Sequence, residues 1–266
     1  MPFLRAQLPE WKRSTIEQRL AEGYVQLNGA VCTKNAAIGA GDTVQLTARP
    51  GALPSSNPSG GLRILHEDAL LVAVDKPAGL LSVAANGERE RTALALLRAH
   101  IVAQDPECRL WPVHRLDRET SGVLLFARYE DVCSAVQADW QSVDKRYLAW
   151  VSGQPEPAEG LIDAPLWEDQ HLFVHVGRGR GAKPARTRYR TLETTRHASL
   201  LEVALETGRR HQIRAHLASL GHPVVGDARY GVKGGPMLLH AWRLSLPHPN
   251  GGRLQLEAPV PRRFRP

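Results

Sequence analysis

The sequence predicts an α+β fold, a mainly antiparallel mixed sheet with few helices, behind a small N-terminal helix–hairpin unit. Three observations carry this. Short strand-like runs outnumber helical ones along the whole chain. Most connections between them are shorter than the roughly one dozen residues that a parallel crossover needs. Residues 49–61, RPGALPSSNPSGG, hold three Pro, three Gly and three Ser without apolar periodicity, which is the composition of a linker. The chain therefore divides into residues 1–48, the linker 49–61, and residues 62–266.

In order along the chain, Ser14 is placed to cap a helix over 15–21, with Glu17 three residues on as in a capping box. Gly23 ends that helix. Residues 24–27 alternate like a strand, and Asn28-Gly29 is the favoured two-residue hairpin turn before the return at 30–32. Gly41-Asp42 then turns into a third alternating run at 43–46. Beyond the linker, 63–66 and 70–74 read as a hairpin over Glu67-Asp68. The spacing of Leu94, Leu97 and Ile101 predicts a helix over 92–103. Residues 123–127, VLLFA, form a short apolar run bounded by Gly122 and Arg128, so they read as a buried strand. A second helix is expected over 131–140. Further strands are expected at 145–151, 172–176, 186–192, 200–205, 237–246 and 254–257.

Composition narrows the function. Cys32, Cys108 and Cys133 are odd in number and never spaced as CxxC, so neither a disulfide framework nor a cysteine zinc site is expected. No apolar run reaches signal-peptide or membrane-spanning length, so a soluble cytoplasmic protein is expected. The net charge is +7, and it is regional. Residues 177–190 hold six Lys/Arg and no acid, and residues 209–266 hold ten Lys/Arg against Asp227 and Glu257. Two such basic segments are the footprint of a polyanion binder, with a phosphate backbone as the fitting partner.

Two polar stretches could carry chemistry. The first, VHRLDRETSG at 113–122, feeds the buried strand at 123–127. In it Asp117 is crowded by His114, Arg115 and Arg118, charges that favour a carboxylate anion. A charged loop beside a strand is also how an ordinary solvated face reads, so this loop does not decide the matter alone. The second is ETGRRHQIRAHLASLG at 206–221. Ile213, Leu217 and Leu220 share a helical stripe, and Arg210 and Arg214 lie one turn apart on a neighbouring face. Arg209, Arg210 and Arg214 at the start of a helix oppose its dipole, a local cost that an anion would relieve. A phosphate or a carboxylate would serve, and Asp117 is an available carboxylate. His211, His216 and His222 lack the spacing of a zinc helix, and no acidic cluster suits magnesium. The alternating glycines at 177–181 lack the spacing and context of a dinucleotide loop. No metal and no cofactor are expected.

Four blocks occur in order: LVAVDKPAG at 71–79; HRLDRETSG at 114–122; KRYLA at 145–149; and GRRHQIRAH at 208–216 with GHP at 221–223 and GDARYG at 226–231. A closing LHA lies at 239–241. This set resembles the RluA-type pseudouridine synthases, with His114 standing where the related RsuA-type branch usually has glycine. Residues 11–47 resemble the small RNA-binding module named after the fourth small-subunit ribosomal protein, with its first helix short or absent. The first resemblance implies a pseudouridine synthase fold and isomerisation of uridine to pseudouridine in RNA, without cofactor. It implies Asp117 as the catalytic carboxylate, Tyr147 stacked on the target uracil, and Arg214 paired with Asp117. Arg115 would hold the place of the flipped-out nucleotide, with His114, Arg118, Arg210, His211 and Gln212 as further substrate contacts. Large-subunit ribosomal RNA is the expected substrate, transfer RNA the alternative, and a monomer the expected state. A non-catalytic RNA-binding or ribosome-assembly protein is the rival reading, but a pure binder has no reason to hold the set Asp117, Tyr147 and Arg214.

Overall fold

The computed structural model of the chain describes residues 2–9, 11–21, 23–28, 30–32, 36–46, 62–84, 91–104 and 108–265. The expected linker at 49–61 lies outside the described residues, as does Gly29 of the expected Asn28-Gly29 turn. The N-terminal part contains α1 (Pro2–Gln7), α2 (Arg13–Ala21), β1 (Val25–Leu27), β2 (Ala30–Val31) and β3 (Val44–Leu46). Its sheet has the order β2-β1-β3, both pairs antiparallel. Leu4, Ile16, Leu20, Val25 and Cys32 form its small core. Helix α1 is six residues long.

The larger part begins with the hairpin β4 (Arg63–Glu67) and β5 (Leu71–Lys76), followed by α3 (Ala93–Gln104), β6 (Trp111–Pro112), β7 (Ser121–Ala127) and α4 (Glu130–Ala138). It continues through β8 (Asp144–Ser152), β9 (Glu159–Asp163), β10 (Leu166–Glu168), β11 (Val174–Val176), β12 (Arg186–Thr194) and β13 (Ala198–Leu205). Helix α5 (Gln212–Ser219), β14 (Leu239–Pro247) and β15 (Arg253–Glu257) complete it. Ten strands form one sheet in the order β4-β5-β7-β14-β8-β13-β12-β9, with β6 on β7 and β15 on β14, while β10 and β11 pair separately. Every pairing is antiparallel except β7 with β14.

The apolar run of β7 is continuous because both sides of it are covered. Val123, Leu125 and Ala127 join one core with Leu71 and Ala73 of β5 and with Cys133 and Val136 of α4. Leu124 and Phe126 join the other with Val72 and Val74 and with Ala93, Leu97 and Ile101 of α3. A strand buried on both faces reads as an unbroken hydrophobic segment rather than an alternating one. Each such large side chain contributes roughly 1.5–3 kcal/mol of burial. A third core joins Ala149 and Val151 of β8, Leu201 and Val203 of β13, and Ile213 and Leu217 of α5. It fixes α5 against the sheet beside β8.

The β4–β5 turn is tied to the far end of the chain through Asp68. Its Oδ1 accepts the N–H groups of Leu70 (2.7 Å) and Leu71 (2.8 Å), and its Oδ2 faces His66 Nε2 (2.6 Å) and His248 Nε2 (2.9 Å). The N–H of Asn250 donates to His248 Nδ1, which leaves the ring proton on Nε2, aimed at the carboxylate. That tautomer makes His248 a donor to the carboxylate. Burial pushes the Asp68 carboxyl up, but the hydrogen bonds from His66, Leu70 and Leu71 outweigh it and hold the group down at about 2. A depressed carboxylate stabilises the fold above its ordinary range near pH 4 and loses that contribution as pH falls toward 2. Asp68→Asn is therefore expected to cost roughly 2 kcal/mol at neutral pH. Urea midpoints of variant and parent should converge as pH drops below about 4, and a constant gap between them would contradict this account.

Candidate active site

Three adjacent strands bring the expected site residues together. Gly122 of β7 pairs with Ala241 of β14, and Ala241 pairs in turn with Tyr147 of β8. Ser121 Oγ meets His240 Nδ1 at 2.9 Å beside that pair. Asp117 lies four residues before the first β7 residue, and its loop is pinned from below. Thr120 N–H donates to Asp117 O (3.1 Å), which closes a tight turn. Ser82 Oγ donates to Leu116 O (2.8 Å) and accepts Leu116 N–H (3.0 Å). Lys76, fully buried, donates through Nζ to the carbonyls of Pro77 (3.0 Å), Leu80 (2.7 Å) and Arg118 (3.0 Å). Burial pushes the Lys76 ammonium down to about 8, against the raising effect of Glu119, Asp117 and Asp75. The loop is thus fixed by backbone bonds, and the Asp117 side chain remains 27% exposed.

Helix α5 supplies the cation. Arg214 NH1 donates to Asp117 Oδ2 at 3.1 Å. The same guanidinium donates through Nε to Asp227 Oδ2 (2.7 Å) and through NH2 to Asp227 Oδ1 (2.8 Å). Asp227 is wholly buried. Burial pushes its carboxyl up, and Arg214 with the N–H groups of Arg229 and Tyr230 more than reverses this, so it is an anion. The helix begins later than the expected 209, at Gln212, with His211 as its N-cap in the left-handed region (φ 51°). Arg209 and Arg210 therefore precede the helix, and their charges are met locally. Arg209 Nε donates to Pro184 O (3.1 Å), and Arg210 pairs with Glu168 at 3.1 Å. The anion that the helix-dipole reasoning sought is thus supplied to Arg214 twice, singly by Asp117 and doubly by Asp227.

His211 Nε2 stands 3.8 Å from Asp117 Oδ2, while its Nδ1 meets Tyr230 Oη at 3.0 Å. Burial pushes its pKa down to about 4 in spite of Asp117, and Arg214, Arg210 and Arg229 push the same way, so the ring is neutral. Tyr147 packs between the second and third cores. Burial first, and the charge of Asp117 second, raise its phenol well above the ordinary range, so it stays protonated. Arg115 and Arg118 are exposed beside Asp117.

Two of the expected substrate contacts, Gln212 and His114, have polar atoms engaged within the fold. Gln212 is buried with its amide engaged inside the fold: Oε1 accepts from Thr207 Oγ1 and Arg209 N–H (both 2.9 Å), and Nε2 donates to Arg186 O (3.0 Å) and Thr187 Oγ1 (2.9 Å). His114 accepts the N–H of Leu125 at Nε2 (3.1 Å) and stacks on Trp140 with centroids 5.0 Å apart. Burial and the Lys145 charge push its pKa down to about 4, so it braces the loop as a neutral ring. Asp227 and Tyr230 lay inside a quoted block without a role, because sequence alone does not say that GDARYG folds back onto Arg214.

The basic run at 177–190 splits in two. On β12, Arg186, Arg188 and Arg190 pair with Asp163 of β9, Glu206 just past β13 and Glu202 of β13. In the preceding loop Arg178, Arg180 and Lys183 are exposed, with no ion pair among the described residues. Among those residues no helix is long and apolar enough to cross a membrane.

The family model described as RNA pseudouridylate synthase matches residues 70–219. The chain is 35% identical to the ribosomal large subunit pseudouridine synthase D of Nitrosomonas europaea, over 96% of this chain and 78% of that protein. It is 37% identical to an uncharacterized RNA pseudouridine synthase of Chloroflexus aurantiacus, over 97% and 85% of the two chains. Among solved structures, the human RNA pseudouridylate synthase domain containing 4 superposes with a TM-score of 0.65 at 28% identity, covering 76% of this chain and 89% of that one. None of these matches identifies the N-terminal sheet unit as the ribosomal-protein-type module. The match over more than half the chain and relatives above 30% identity along nearly all of it leave one assignment: the chain belongs to the RNA pseudouridine synthase family, isomerases that convert uridine in RNA to pseudouridine.

Proposed function

We propose that the enzyme isomerises uridine in large-subunit ribosomal RNA, with Asp117 as the catalytic carboxylate, Arg214 as its partner and Tyr147 as the stacking surface for uracil. The observation that carries this reading is the 3.1 Å pair between Arg214 NH1 and a partly exposed Asp117, one strand removed from Tyr147. The reaction breaks the bond between N1 of uracil and C1′ of ribose, turns the freed base, and joins C5 to C1′. The proton lost from C5 is balanced by the one gained at N1, so no redox partner is consumed. One ionised carboxylate suffices as nucleophile or base. Extruding the uridine from its stack costs a few kcal/mol, and stacking on an aromatic ring returns about 1–3 kcal/mol. The neutral, partly buried ring of Tyr147 suits that stacking role. The exposed Arg115, Arg118, Arg178, Arg180 and Lys183 would bind the phosphate backbone, and the N-terminal unit would add RNA contacts.

The ribosomal assignment rests on relatives named ribosomal large subunit pseudouridine synthase D in Nitrosomonas europaea and Neisseria meningitidis. Mapping pseudouridines in total RNA with and without the enzyme tests it. A lost site in large-subunit RNA is expected, and a lost site only in transfer RNA would overturn the substrate. For Tyr147, the Phe variant should bind substrate RNA within about 3-fold of the parent, and the Ala variant should weaken binding by roughly 1–3 kcal/mol. Equal affinities for Phe and Ala variants would remove the stacking role.

A further inference from the structure

We infer that Asp227 is a positioning residue for the isomerisation, aiming the one remaining donor edge of Arg214 at Asp117. This inference rests on the reading of Asp117 as the catalytic carboxylate.

The guanidinium is planar, and its N–H bonds point in fixed directions. Asp227 takes two of them side-on, through Nε at 2.7 Å and NH2 at 2.8 Å. Such fork-to-fork pairs fix orientation as well as adding energy. With that edge held, the plane of Arg214 cannot rotate, and NH1 is left to meet Asp117 at 3.1 Å. Asp227 is itself immobilised. Its Oδ1 also accepts the N–H groups of Arg229 (2.9 Å) and Tyr230 (3.2 Å), so the turn at 227–230 holds the carboxylate by its own backbone. Asp227 is fully buried and spends its oxygens on these four donors, so it has no capacity left for substrate. Its effect must pass through Arg214.

The same turn also holds the other neighbour of Asp117. Tyr230 Oη meets His211 Nδ1 at 3.0 Å and accepts the N–H of Val174 at 3.1 Å, and the Arg214 guanidinium lies 5.2 Å from the Tyr230 ring centroid. The segment GDARYG is therefore a bracket behind α5, and Asp227 is the member of it that fixes the cation.

Charge gives Asp227 a second effect. One guanidinium faces two carboxylates, with His211 neutral beside them. Arg214 is thus shared between two carboxylates, and its donor groups are not all committed to Asp117. Without the Asp227 charge, Arg214 is free to turn its fork onto Asp117 and hold it in a two-point pair, away from the reacting base. Misplacement of a reacting group by about 1 Å can cost on the order of 10²-fold in rate.

Asp227→Asn keeps the shape and removes the charge. Its kcat on the verified RNA substrate is expected to fall about 10²-fold, with RNA affinity within about 3-fold of the parent, since Asp227 touches no substrate. Thermal melts confirm that the variant is folded at the assay temperature. In an Arg214→Lys background, where no fork exists to be aimed, adding Asp227→Asn should cost less than about 3-fold more, the non-additivity expected of residues acting as a unit. Parental kcat in Asp227→Asn, equal losses in kcat and affinity, or the same 10²-fold loss in the Arg214→Lys background would each overturn the inference. If Asp227→Asn does not fold, Asp227→Glu, which keeps the charge and displaces the carboxylate, is read by the same criteria. Failure of both to fold makes Asp227 a structural residue, and the inference falls. Asp117→Asn is assayed alongside: if it remains active, the reading of Asp117 has failed, whereas a dead Asp117→Asn beside a fully active Asp227→Asn isolates the failure to Asp227.

Discussion

Asp117→Asn is expected to lower pseudouridine formation by at least about 10³-fold while leaving the fold intact. The two halves of that expectation have separate reasons. Activity falls because the amide is neither a nucleophile nor a base, and among the described residues the other acid on Arg214, Asp227, is sealed from the site. Stability holds because the substitution orphans no charge. Removing one partner of a buried ion pair is costly when the survivor is left uncompensated. Here Arg214 retains its two bonds to Asp227, and Asp117 is 27% exposed, so its change should stay within about 1 kcal/mol. Single-turnover assays with pseudouridine detection, together with urea unfolding, measure both quantities. Parental turnover would remove Asp117 from catalysis, and a large stability loss would show that its pair with Arg214 is a structural one.

That separation of roles was only partly legible in the sequence. The buried strand was readable because a strand covered on both faces needs an uninterrupted apolar run, and residues 123–127 provide one. The sheet class followed from short connections. Strand β9 was missed because its sequence EGLID carries two acids and a glycine, and it persists by pairing along the edge of β12. The helix-dipole reasoning found Arg214 but gave it one anion where there are two, because the register that folds Asp227 back onto α5 is long-range. Gln212 and His114 sat in the right blocks for substrate contacts, yet the fold uses their polar atoms on backbone and neighbouring side chains. Proximity along the chain to a catalytic residue does not say which way a side chain turns.

Gly122→Ala is expected to be the most damaging single-methyl change near the site, and it tests whether the sheet sets the distance between Asp117 and Tyr147. Gly122 has φ +114°, a conformation costly for any residue with a Cβ. An added Cβ would stand 2.1 Å from Ala241 O, 2.7 Å from its carbonyl carbon and 2.8 Å from its N. All three are backbone atoms of β14, so no side-chain rotation relieves the clash. Strands β7 and β14 must separate at their parallel pairing, Ser121 with His240 and Gly122 with Ala241. Ala241 is also the pairing partner of Tyr147, so the shift is passed directly to the distance between the Asp117 loop and the stacking ring. Backbone strain of about 1–3 kcal/mol and a comparable overpacking cost together predict a loss of roughly 3–5 kcal/mol in stability. A displacement near 1 Å predicts about 10²-fold loss of kcat in the molecules that remain folded. Gly79→Ala is the control. Gly79 has φ +85°, but an added Cβ there meets nothing within 4 Å, so only the strain should be felt, at about 1 kcal/mol. If the two alanine variants unfold at the same urea concentration, the close approach of β7 to β14 contributes nothing beyond the dihedral. The strand register is then not what holds Asp117 and Tyr147 at working distance.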